Sequence, residues 1–130
     1  MIAINTNIII RLLTHDDSKQ YDIAYQLFQS SVIYIADSVI LESEWVLRYA
    51  YDFSATQISN AMTKLFGLPN IILDNPALIA QVINWYSQGL DFGDAMHLAK
   101  CEQVSQLKTF DHKFIKKAAG LSLCQVTLAG

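Results

Sequence analysis

The chain reads as an α/β protein of one domain, built on a central twisted parallel sheet of four to five strands with helices on both faces. Three observations predict this. Short apolar, β-branched runs recur at residues 2–4, 32–36, 71–73, 107–110 and near 122–126. The segments between them carry apolar residues at three- and four-residue spacing, the mark of helices. A chain of 130 residues is long enough for one ordinary core and too short for two. Strands that alternate with helices imply parallel pairing through right-handed crossovers, with the sheet covered on both sides.

Taken in order, Ile2-Ala3-Ile4 is a strand that stops at Asn5, Thr6 and Asn7, all helix-capping types, before the helical run IIIRLL. Asp16-Asp17-Ser18 starts a helix to about residue 30, with Tyr21, Ala24, Leu27 and Phe28 on its inner face. Residues 32–36, VIYIA, form a buried strand, and Ser38 caps a helix that runs through Tyr51. Ser54 opens the next helix, with Ile58, Met62, Leu65 and Phe66 inward and Gly67 to Pro69 closing it. After a short strand at 71–73, Asn75-Pro76 places proline at the first position of a helix that ends at Gly89. A helix from Asp91 to about Val104, the strand 107–110, a helix over 112–118 and a strand near 122–126 complete the chain.

Composition narrows the function. Hydrophobic residues are 52% of the chain and charged ones 16%, which excludes disorder and suggests a partner over part of the apolar surface. No apolar run is long enough to span a bilayer, and the first residues have neither a basic stretch nor a cleavage site, so the expected location is cytoplasmic and no membrane partner is expected. Cys101 and Cys124 lack metal-ligand spacing and read as reduced thiols without a role. The net charge of -3 opposes phosphate binding as a whole. Four of the nine basic residues nevertheless fall close together around Asp111, as Lys108, Lys113, Lys116 and Lys117, and Arg11 follows the first apolar run.

The acids carry the functional signal. At 100° per residue, Glu42 falls between Val39, Trp45, Val46 and Tyr49, an apolar setting that a carboxylate tolerates only when paired or hydrogen bonded. Glu44, with Arg48 four residues on, reads as an ordinary surface pair. Asp91 and Asp94 lie three apart at a helix start, where Asp91 also reads as a plain N-cap. Asp111 follows a strand and precedes a helix, so it too can be a cap, with Thr109 either orienting it or merely filling the strand. Ligands of parallel α/β sheets bind at the carboxyl ends of the strands, which is where Asn5 and Asp111 fall. Oxygen donors gathered there suit Mg²⁺ or Mn²⁺ and do not suit zinc. His97, one turn beyond Asp94, reads as a helix-face histidine, and His15 and His112 as solvent-facing.

Four stretches, INTNIIIRLL, VILESEWVL, LDFGDAMHLA and LKTFDHKF, come in an order and at separations that resemble a PIN domain, and within that group a VapC-type ribonuclease toxin of a toxin–antitoxin system. The resemblance covers nearly the whole chain. It implies a Mg²⁺- or Mn²⁺-dependent endoribonuclease whose catalytic and metal-ligating positions fall on Asn5, Glu42, Asp94 and Asp111, with Asp91, Asn7 and Thr109 supporting. Arg11, Lys108, Lys113 and Lys116 would then hold the RNA backbone. It also implies a homodimer and a cognate antitoxin protein as partners. The first motif departs from the pattern, because Asn5 stands where such proteins carry Asp, and the loss of one charge predicts attenuated activity. An alternative is a silent PIN-fold module that only binds its antitoxin. A phospho-acceptor receiver domain fits less well, since its first strand should end in paired acids and this one ends in Asn5.

Overall fold

The computed structural model describes residues 1–130, and every strand pairing in it is parallel. The α/β class expected from the sequence is what the chain adopts. Twelve elements follow one another: β1 (Ile2–Ala3), α1 (Thr6–Thr14), α2 (Ser18–Ser30), β2 (Ile33–Tyr34), α3 (Asp37–Ala50), α4 (Ala55–Phe66), β3 (Ile71–Ile72), α5 (Pro76–Ser87), α6 (Phe92–Lys100), β4 (Gln106–Thr109), α7 (His112–Ala118) and β5 (Gln125–Leu128). None of the helices is long and apolar enough to cross a membrane. The chain divides into two compact units, Met1–Pro76 and Ala77–Gly130.

In the first unit β2 lies between β1 and β3, with Ile33 in register with Ile2 on one side and Ile71 on the other. The ladder bonds Ile2 N–H to Val32 O, Ile33 N–H to Asn70 O and Ile35 N–H to Ile72 O are all close to 3 Å. Ile33 and Ile35 are fully buried, as a continuous apolar run in a covered strand should be. Helix α1 packs against α2 and α3, and α4 against α3 and β3. Ser54 forms a capping box with Gln57, which satisfies backbone donors at the start of α4 reciprocally. Ile58, Met62 and Leu65 of α4 are buried as expected, whereas Phe66, expected with them, is only half-buried.

Helix α3 departs from expectation in two ways. It starts at Asp37, one residue before the expected cap, because the Ala36 carbonyl already accepts from Val39 and Ile40, and Ser38 caps nothing. The buried face is Ile40, Ser43, Glu44 and Leu47, so Glu42, Trp45 and Tyr49 face solvent. The assignment of the two glutamates to inside and outside is therefore reversed. Glu44 is 1% exposed, and its two oxygens meet the Arg48 guanidinium, Oε2 lying 2.8 Å from Nε and Oε1 accepting from Nη2 at 3.2 Å. A two-point pair of this kind is what makes a buried carboxylate tolerable.

In the second unit β4 pairs with β5 from Gln106↔Gln125 to Thr109↔Leu128, and α7 packs on both strands. The five strands thus form ladders of three and two. Helix α6 ends at Lys100, four residues short of the expected Val104. Beyond Ala99 only half-buried Cys101 precedes Val104, itself 52% exposed, and the Cys101 N–H closes the last turn onto His97 O and Leu98 O. The last strand begins at Gln125, because Gly120, in the left-handed region at φ 76, and a Ser122–Cys124 turn use up the residues before it.

Candidate active site

In the first unit the candidate residues gather where β1 hands over to α1. Asn5 ends the strand run in an extended conformation and caps α1, its Oδ1 accepting from the Thr6 N–H at 2.7 Å. The Thr6 side chain is buried, and its hydroxyl donates to Oε1 of Glu42, thirty-six residues away on α3. That bond ties Glu42 to the mouth of β1 while leaving the rest of its carboxylate in solvent. Thr6 was not singled out by sequence reasoning. Its place one residue past a strand end, inside a run of capping residues, was the available signal. Asn7 is exposed on the first turn of α1, and Arg11 on its last turn is held by Gln20, Asp16 and the Tyr51 hydroxyl.

In the second unit the charges of Asp91 and Asp111 both act on Asp94. Asp91 caps α6 by accepting from the Asp94 N–H at 3.1 Å, and Gly93 leaves space for that carboxylate, since a Cβ there would lie 3.2 Å from Asp91 Oδ2. Asp111 caps α7, and both its bonds, from Lys113 N–H at 2.9 Å and Phe114 N–H at 3.2 Å, fall on Oδ1, leaving Oδ2 without one. The Thr109 hydroxyl accepts from the Asp111 N–H at 3.0 Å and fixes the turn. Asp91 and Asp111 are thus both helix caps, the local reading their sequence context allowed.

Asp94 differs. It sits in the first turn of α6, half-buried, and its carboxylate accepts no hydrogen bond. Burial pushes its pKa above the usual aspartate value, and the neighbouring charges of Asp91 and Asp111 push it further, with exposed His97 opposing weakly. A desolvated, unbonded carboxylate beside two more carboxylates is a site short of positive charge. The carboxylates beside it, Asp91 and Asp111, are hard oxygen donors, which fit Mg²⁺ or Mn²⁺ by chemistry. The acids are not drawn into a ready cage, since no three His, Cys, Asp or Glu side chains stand together at ligating distance.

Around Asp111 the side chains of Lys108, Lys113 and Lys116 are exposed, whereas Lys117 donates to the Gly89 carbonyl at 3.1 Å. Lys108, Lys113 and Lys116 take part in neither the Arg11–Asp16 nor the Arg48–Glu44 ion pair. Cys101 and Cys124 are free thiols.

Comparison with curated proteins and with solved structures finds no match. A family model, the PIN domain, matches residues 2–120 and so takes in all four motif stretches. PIN domains are in general nucleases that use divalent metal ions. With nearly its whole length matched, this chain belongs to the PIN domain family.

Proposed function

We propose that the protein is a Mg²⁺- or Mn²⁺-dependent endoribonuclease, the toxin of a toxin–antitoxin pair, working as a single domain in the cytoplasm. The observation that carries this reading is Asp94: a carboxylate that burial and two acidic neighbours disfavour, in a family whose nucleases use divalent ions. Metal ligands are assigned to Asp94, Asp111, Glu42 and the amide oxygen of Asn5. When bound, such an ion makes water more acidic and offsets the charge that builds on the phosphate.

The chain supplies the rest. Glu42 or Asp91 takes the proton from the attacking water, and the exposed setting of Glu42 lets it reach one. The Thr6 hydroxyl orients Glu42, Thr109 orients Asp111, and Asn7 supports the first motif. Lys108, Lys113, Lys116 and Arg11 neutralise the RNA backbone. Family likeness also motivates a homodimer and an antitoxin that covers apolar surface. Asn5, neutral where the motif carries an acid, lowers the charge available to the ion and so the rate.

RNA cleavage with Mn²⁺, with chelator, and in Asp94→Asn and Asp111→Asn variants tests the proposal. Cleavage that needs the ion and is lost in both variants supports it. Cleavage that survives chelation refutes metal dependence. Absence of cleavage together with absence of Mn²⁺ binding by calorimetry indicates the silent antitoxin-binding module instead.

A further inference from the structure

Between β4 and α7 the chain displays Phe110 with 81% of its surface exposed, one residue before Asp111. The ring is not on a loose loop. On one side the Thr109 carbonyl is held in the β4–β5 ladder by the Ala129 N–H at 2.9 Å, and on the other the Asp111 N–H is bonded to the Thr109 hydroxyl at 3.0 Å. Asp111 in turn is fixed by its two bonds into α7. Both neighbours of the aromatic residue are therefore pinned, and the ring is held out into water by backbone that has little freedom to retract it.

Exposed lysines flank the ring along the chain, beside the acid of Asp111. Lys108 precedes the ring by two residues and Lys113 follows it by three, both exposed and neither ion-paired, with Lys116 exposed one turn further along α7. Exposed lysines suit the phosphates of a nucleic acid, and a fixed exposed ring suits the face of an unpaired base. A protein surface reading of the same ring fits less well, because interface cores are depleted in lysine.

We infer that Phe110 is a base-stacking platform that selects single-stranded RNA, seating an unpaired nucleotide next to the phosphate handled at Asp111. This deepens the nuclease reading and rests on it. A duplex keeps its base faces covered by its own stack, so the platform discriminates against paired RNA at this position.

The probe is fluorescein-labelled hexauridine, titrated by fluorescence anisotropy with calcium in place of manganese, beside a labelled RNA duplex of equal strand length. Phe110→Ala should weaken binding of the single strand roughly 5- to 150-fold, the worth of one stacked base, and leave duplex binding unchanged. Phe110→Trp should restore the affinity and be quenched by the bound strand, whereas Phe110→Leu should not restore it. Lys108→Ala should weaken both probes alike and reduce their salt dependence. Wild-type affinity in Phe110→Ala, full restoration by leucine, or a loss of self-association as the sole effect overturns the platform and leaves the nuclease reading standing. Failure of the unaltered protein to bind or cleave either RNA overturns both.

Discussion

Replacing Asp94 by Asn should make the metal-free protein more stable and the metal-loaded protein less so. Asn keeps the shape of the side chain and removes the charge. In the native state the ionised form of Asp94 is disfavoured by burial first and by Asp91 and Asp111 next, and no hydrogen bond offsets this. Its pKa is therefore raised on folding, so protonation favours the folded state: the native protein gains relative stability as pH falls through the raised value and loses it as pH rises again. Above that raised value the wild type carries the penalty and the Asn variant none. Asp94 is only half-buried and solvent screens the penalty, so removing it is worth at most about 1 kcal/mol, or about 4 °C in Tm for a chain of this size. The gap should close as pH falls and vanish below about pH 4, where Asp94 is neutral in both states. Manganese at a hundred times its Kd should then add about 2.7 kcal/mol to the wild type alone, reversing the order. Thermal melts across pH, with and without Mn²⁺, read all of this. A metal-free Asn variant that melts below the wild type at pH 7, or an equal response of both proteins to manganese, refutes the reasoning.

Restoring the missing charge with Asn5→Asp should raise metal-dependent RNA cleavage by about 10- to 100-fold, measured as initial rates at saturating Mn²⁺; an unchanged rate removes position 5 from the ligand set. Arg48→Met should cost about 3–5 kcal/mol in urea unfolding by leaving Glu44 charged in the core, and adding Glu44→Leu should recover most of it. A small effect of the single change shows that water reaches Glu44. Asp16 is held below its ordinary pKa by the Tyr51 hydroxyl first and Thr14 next. Its contribution is present above about pH 4 and fades as pH falls through the depressed value, so Tyr51→Phe should destabilise at neutral pH and converge with the wild type in acid. A difference that grows in acid contradicts that sign.

What the sequence discloses here is mostly local. Ser54 and Gln57 announce a capping box, Asp17 and Asp111 announce helix starts, and Ile33 and Ile35 announce a covered strand, because each depends on residues within one turn or one strand. The face of α3 depends on neighbours far along the chain. Two apolar arcs run along that helix, and the packing of α1 and α4 decides that Ile40 and Leu47 go inside with Glu44 between them. Once Arg48 neutralises Glu44, the helix can leave Trp45 and Tyr49 in water and turn Glu42 outward, where the Thr6 hydroxyl meets it. No periodicity count reaches that bond, since Thr6 and Glu42 are joined by folding alone. The end of α6 and the start of β5 depart from the hydrophobic pattern for a related reason: Val104 and Leu123 are apolar yet exposed, and the pattern cannot tell which apolar residues the fold leaves out.

As proposed metal ligands, Asp94 and Asp111 should meet at one divalent ion. Crystals of the protein soaked in Mn²⁺ and measured at the manganese absorption edge test it most directly. An anomalous peak is expected about 2.0–2.3 Å from carboxylate oxygens of Asp94 and Asp111, lost in the Asp94→Asn protein. Soaked crystals with no peak at those oxygens, or with manganese settled on other residues, contradict it.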